Sequence, residues 1–174
     1  MDAFWGKGYE ATSMADLCCC TGLHKGSLYQ AFGDKHTLFM NALRHYADSE
    51  FRETTSVLRE SNTPLENLRA LATKVCEDAS GEKGCMMLNS MVELAPHDPA
   101  VKTALQGFGR QRMQATTEMI ARAQASGELV VKTEPERLAR QLMMTIAGGA
   151  AMVKGSISPE DYVESVNDLL DAWM

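Results

Sequence analysis

Prolines punctuate this chain at the places where α-helices begin and end, and that restricts it to helices more than any other feature. Thr63-Pro64, Asp98-Pro99, Thr133-Glu134-Pro135-Glu136 and Ser158-Pro159-Glu160-Asp161 each set a capping side chain just ahead of a proline. A proline there forfeits no helical hydrogen bond and brings its φ already fixed. Ala95-Pro96 marks an end. Apolar residues between these marks recur at three and four, as in Leu65, Leu68, Leu71, Ala72, Val75 and Cys76. Ser80-Gly81-Glu82-Lys83-Gly84 breaks that run, and a short apolar helix is expected from Cys85 to Leu94. A long helix should follow from Pro99 to about Ser126-Gly127, then two terminal helices over 135–153 and 159–173. No repeat, low-complexity tract or strand-hairpin signal interrupts this series. The expected fold class is all-α.

The first 46 residues carry shorter pieces. Gly6-Lys7-Gly8-Tyr9 closes an apolar stretch holding Phe4 and Trp5. Ser13 then caps a helix of about two turns, with Asp16 in its favourable first turn. Met14, Leu17, Cys18 and Leu23 are expected to face inward before Thr21-Gly22 stops it. Lys25 to Phe32 forms a second short helix with Leu28 and Phe32 as its buried stripe, and Gly33 ends it. Asp34 caps a third helix carrying Leu38, Phe39, Ala42, Leu43 and Tyr46 towards Glu60.

Charge and cysteine usage narrow the function. The net charge of −6 argues against nonspecific coating of nucleic acid. Over residues 1–46, however, Lys7, Lys25, Lys35 and Arg44 balance Asp2, Glu10, Asp16 and Asp34, so the acidity belongs to the remainder. Cys18, Cys19, Cys20, Cys76 and Cys85 are an odd set with no disulfide framework and no zinc-ligand spacing. Adjacent thiols on a helix point about 100° apart, so Cys18-Cys19-Cys20 reads as packing and no metal or cofactor is expected. No paired acids, nucleophile with base or phosphate-cradling glycine loop stands at useful spacing, so an enzyme is not expected. No apolar run approaches the roughly 18 residues of a membrane span, and the first residues lack a signal-peptide pattern. The expected location is cytoplasmic.

A helix, a tight glycine turn and a second helix place one helix across the DNA backbone and the next in the major groove. Gly26 would let the backbone of the second helix approach phosphate. Lys25, Ser27, Tyr29 and Gln30 stand where they reach DNA, and Lys35, at the next helix start, suits a phosphate. Residues 8–17, Gly8-Tyr9-Glu10-Ala11-Thr12-Ser13-Met14-Ala15-Asp16-Leu17, with 21–35, Thr21-Gly22-Leu23-His24-Lys25-Gly26-Ser27-Leu28-Tyr29-Gln30-Ala31-Phe32-Gly33-Asp34-Lys35, resemble the DNA-binding signature of the tetracycline-repressor (TetR) family. The resemblance implies a three-helix helix-turn-helix head over 1–46 and a helical ligand-binding and dimerisation body over 47–174. It implies DNA contacts from Thr12, His24, Lys25, Ser27, Tyr29, Gln30 and Lys35, with His24 departing from the family's usual small cap. Members of the family normally begin with a fuller first helix and a basic arm, so the first helix here is expected to be shortened. The alternative is a helical protein-interaction module that has lost DNA binding through that shortening.

The implied regulator, usually a repressor, pairs as a homodimer through residues 135–153 and 159–173, binds double-stranded operator DNA and is released by an unidentified small-molecule effector. Leu138, Leu142, Ile146, Val163, Val166, Leu169, Leu170 and Trp173 are expected in the core of that pairing bundle, with Gly148-Gly149 allowing close approach. The body is rich in methionine, which suits both irregular cores and adaptable pockets; Met86, Met91, Met113, Met119 and Met143 are the candidate ligand-lining set. Cys85, after Gly84 at a helix start and near Lys83, reads either as a sensor thiol or as a structural one.

Overall fold

The computed structural model describes residues 1–58, 63–81 and 83–174. Helices account for the architecture of these residues: α1 Asp2–Lys7, α2 Met14–Thr21, α3 Lys25–Phe32, α4 Lys35–Val57, α5 Pro64–Ser80, α6 Met86–Glu93, α7 Pro99–Ala125, α8 Pro135–Met152 and α9 Pro159–Asp171. Glu60, towards which the third helix of the head was expected to run, and Glu82 in the break after α5 lie outside the described residues. The described chain divides into two compact units, one of residues 1–49 with 85–106, the other of 50–84 with 107–174. A segment well beyond residue 46 thus joins the N-terminal helices.

Aromatic packing holds the first unit. Phe4 of α1 meets Phe39 of α4 edge-on at 5.3 Å, Tyr9 packs against Phe39 at 5.0 Å, and Trp5 meets Tyr46 at 4.9 Å. Such pairs add about 0.5–1.5 kcal/mol beyond the area they bury. Leu17 of α2, Leu28 of α3 and Leu43 of α4 complete this core, each no more than 4% exposed. Leu23, expected inside, is 45% exposed. It follows the left-handed Gly22 (φ +69), past the end of α2, so the helical period that would carry it inward has already stopped.

Local chemistry sets the helix ends. Ser13 accepts from the Asp16 amide while Asp16 accepts from the Ser13 amide, a reciprocal box repeated by Thr63 with Glu66 and by Ser158 with Asp161.

In the second unit α5, α8 and α9 pack together. Leu68, Leu71 and Ala72 of α5, Leu138, Leu142 and Ile146 of α8, and Tyr162, Val166 and Leu170 of α9 are each at most 3% exposed. Leu138, Leu142, Ile146, Val166, Leu170 and Trp173, expected in the core of the pairing bundle, are buried within one chain, while Val163 and Leu169 are half-buried. A Cβ on Gly149 would fall inside the Tyr162 ring, so the close approach allowed by that glycine joins α8 to α9 of the same protomer. The Trp173 carbonyl accepts from the Val130 and Val131 amides at 2.9 and 3.1 Å, pinning the end of the chain to the segment before α8. No described helix is long and apolar enough to cross a membrane.

Candidate DNA-binding interface

α2 and α3 meet at a turn built by Thr21 and Gly22. The Thr21 hydroxyl donates to the Leu17 carbonyl at 2.7 Å and accepts from the Leu23 amide at 3.3 Å, while Gly22 supplies the left-handed residue. α3 has two turns and buries only Leu28 fully. So short a helix is marginal by itself and depends on that anchor and on the half-buried Phe32. Its other face is open: Lys25, Gly26, Ser27, Tyr29 and Gln30 are all exposed. The Lys25 ammonium lies 5.7 Å from the centre of the Tyr29 ring, a cation–π contact that keeps both over one edge of the helix.

His24 occupies the N-cap of α3 with an extended backbone and gives no side-chain cap bond, so its ring does not close off the first amides of the helix. A Cβ placed on Gly26 would meet nothing within 4 Å. The fold itself makes no demand for glycine there. Lys35 is half-buried at the start of α4, its ammonium 4.3 Å from the centre of the Tyr9 ring. Asp34 before it accepts from the Thr37 amide at 2.6 Å, which holds its carboxyl below the usual carboxylate range.

Thr12 is used differently from the rest of the set. It has no exposed surface, and its hydroxyl lies 2.5 Å from the Gly8 carbonyl and 3.2 Å from that of Ala3, to which it donates. A side chain so placed ties α1 to the turn before α2. His24, Lys25, Ser27, Tyr29 and Gln30 are thus all exposed around the start of α3, while Thr12 is buried. Missed by sequence reasoning is Glu93, whose carboxylate accepts from the Tyr9 and Glu10 amides at 3.1 and 2.9 Å. Gly8, at φ +82, was the local signal of a special turn, but nothing local names a partner 84 residues away.

The candidate ligand-lining methionines do not come together in one unit. Met86, 1% exposed, and Met91, 49% exposed, belong to the first; Met113, Met119 and Met143 belong to the second, where Met119 is in the core. Met143 lines a crevice of about 10 Å3 with Phe51, Thr55, Arg112 and Thr116, room for roughly one water molecule. The Thr116 hydroxyl points at its sulfur, 3.5 Å away. Cys85 is half-buried at the N-cap of α6 and gives no side-chain cap bond. Among the described residues no cluster of three or more His, Cys, Asp or Glu side chains is arranged to hold a metal.

Residues 1–42 match the family model "Bacterial regulatory proteins, tetR family", and residues 58–170 match "Tetracyclin repressor-like, C-terminal domain". The chain is 30% identical over 146 residues to the uncharacterized HTH-type transcriptional regulator YezE of Bacillus subtilis, covering 82% of this chain and 75% of that protein. It is 26% identical to the HTH-type transcriptional repressor ComR of Escherichia coli, covering 99% and 84%. Among solved structures, a cysteine mutant of the TetR family transcriptional regulator CifR, complexed with 26bp double-strand operator DNA, superposes with a TM-score of 0.85 at 28% identity, covering 99% of this chain and 92% of that one. The match over residues 1–42 goes against the alternative of an interaction module without a DNA-binding head. The chain belongs to the tetracycline-repressor family of bacterial helix-turn-helix transcriptional regulators, which are not enzymes.

Proposed function

We propose that this chain is a cytoplasmic repressor that binds double-stranded operator DNA as a homodimer and is released by a small-molecule effector. The exposed surface of α3 carries the reading: Lys25, Ser27, Tyr29 and Gln30 are exposed on a helix anchored by Leu28, and Gly26 leaves space that none of the described residues fills. In the major groove, Lys25 and Gln30 have the donors and acceptors to read base edges, while Ser27, Tyr29, His24 and Lys35 suit the backbone. Lys35 reaches a phosphate by leaving the Tyr9 ring. The DNA head is assigned to residues 1–46 and the effector body to 47–174, of which residues 85–106 pack with the head in one compact unit. Pairing runs through α8 and α9, and the effector is held by the body's flexible methionines. Met143, beside Thr55 and Thr116, borders a crevice that holds about one water molecule, so an effector there would require the side chains to move apart. Cys85 is either a reactive trigger or a structural thiol.

Selection of duplexes from a random-sequence library tests the reading. The chain should enrich a two-fold symmetric site and bind it with an affinity that falls steeply with salt. Lys35→Ala should flatten the salt slope by about one unit without changing base preference. A chain that enriches no sequence would refute the assignment. For the effector, a compound screen read by thermal shift should find ligands that raise the melting temperature and release the enriched duplex, since binding to the folded state alone adds stability.

A further inference from the structure

The turn between α1 and α2 holds an anion of the chain's own making. Gly8 stands at φ +82, a conformation open to glycine. The next two amides, of Tyr9 and Glu10, both donate to the Glu93 carboxylate at the end of α6, one to each oxygen, at 3.1 and 2.9 Å. Successive backbone N–H groups turned to one point make a concave anion site, and Glu93 fills this one. The fit leaves no margin: a Cβ on Gly8 would lie 2.9 Å from Oε2 and 3.0 Å from Oε1. A carboxylate at the tip of a flexible side chain would ordinarily swing aside. Here both oxygens are bonded, so yielding costs both bonds.

A second carboxylate from the same segment grips the other end of the helix-turn-helix. Asp98 is fixed by the Ala100 and Val101 amides at 2.9 and 3.0 Å, and its other oxygen lies 2.7 Å from His36 Nε2 in the first turn of α4. The corner between α6 and α7 therefore holds both the turn that precedes α2 and the helix that follows α3. The Tyr9 ring stands among these groups, 5.0 Å from Phe39 and 6.3 Å from His36.

We propose that Glu93 is a positioning residue for DNA binding: seated in the backbone nest of Gly8, Tyr9 and Glu10, it sets the angle at which α2 and α3 are presented to the operator. The helix-turn-helix keeps its own core, Leu17 and Leu28, without it, but the turn before α2 then loses its two backbone bonds to α6, leaving the Asp98–His36 and Lys7–Asp16 pairs and apolar packing to set its orientation.

This inference rests on α3 being the recognition helix, so the parent chain and its library-enriched duplex serve as the reference. Glu93→Ala, Gly8→Ala and the double variant are compared at a temperature where circular dichroism shows each fully helical. Each single variant should weaken the enriched duplex by about tenfold, and the double variant should be no weaker than the weaker single, because both changes empty the same seat. The salt slope should not move, since Glu93 touches no phosphate. Amide exchange at Tyr9 and Glu10 should accelerate in Glu93→Ala while the α2 interior stays protected. Glu93→Gln, with one accepting oxygen in place of two, should fall between parent and Glu93→Ala, and it decides the matter if Gly8→Ala does not fold. Unchanged affinity in Glu93→Ala and Glu93→Gln despite faster exchange at the two amides, or additive losses in the double variant, would overturn the proposal. A parent that enriches no duplex would instead defeat the DNA-binding reading.

Discussion

Gly26 is the residue at which stability and function should pull apart. An added methyl group meets open space in the protein, and alanine is favoured over glycine inside a helix by up to about 1 kcal/mol, less near an end. On DNA that methyl group would stand between the start of α3 and the backbone it approaches. Gly26→Ala is therefore expected to raise the melting temperature slightly and to weaken the enriched duplex; a variant that binds as well as the parent would free Gly26 of any role at the groove. Glu50 shows a different residue-level constraint. Its side chain is 11% exposed and pairs with Arg112 at 2.9 Å, yet Oε2 is buried without a hydrogen-bond partner among the described residues. Burial pushes the carboxyl above its ordinary 4.5, with Arg112 opposing. The folded chain then keeps a proton that the unfolded chain has already released, so stability conferred at this site falls as pH rises from 4.5 through the raised value, and levels off above it. Urea unfolding of parent and Glu50→Gln across that window should show the parent losing ground to the variant as pH increases. Parallel curves would contradict the assignment.

Among the elements, α8 has two apolar faces with different work. One packs Leu138, Leu142 and Ile146 into the second unit; the other exposes Met144 at 68% and Met152 at 49%, with Gly148 facing open space between them. The two adjacent glycines divide accordingly. Gly149→Ala drives a methyl group into the Tyr162 ring and should destabilise the chain by about 1–3 kcal/mol, the usual cost of overpacking. Gly148→Ala should leave the unfolding of an isolated chain nearly unchanged and act on association instead. Thermal unfolding and sedimentation of the two variants separate these effects, and equal destabilisation by both would refute the division. This helix also marks how far the sequence could be read. Helix ends were legible because they are local: Ser13 with Asp16, and Ser158 with Asp161, lie three residues apart and cap as their spacing demands. The apolar stripe of α8 was legible too, but its period does not say whether Leu142 turns to α5 or to a second chain, since both neighbours are apolar. The surroundings of Thr12 were hidden for a related reason. Its type and place suit a phosphate, and only the fold reveals the Gly8 and Ala3 carbonyls that take its hydroxyl. Glu93 had no sequence signal at all, because a nest is made of backbone and any distant carboxylate can fill it.

At the scale of the whole molecule, one head offers DNA little: residues 1–46 are neutral, the chain as a whole carries −6, and α3 presents about five side chains. Affinity at an operator must then come from two heads acting together, with their recognition helices about 34–36 Å apart in successive major grooves. Linking two weak sites makes the second encounter intramolecular and multiplies affinity by about 10²–10⁴ without any new contact. On the proposed pairing through α8 and α9, the exposed face of α8 belongs to that linkage, and a charge at its centre, at Met144, should prevent it. Met144→Lys leaves the protomer core untouched, since the side chain it replaces is 68% exposed. Light scattering should give a dimer for the parent and a monomer for the variant at micromolar concentration. The variant should bind the full enriched duplex about 10²–10⁴-fold more weakly than the parent. On a duplex carrying a single half-site, where only one head can engage, the two proteins should bind alike. A Met144→Lys chain that stays dimeric moves the pairing surface away from this face of α8, while a monomer that keeps full operator affinity breaks the link between pairing and recognition.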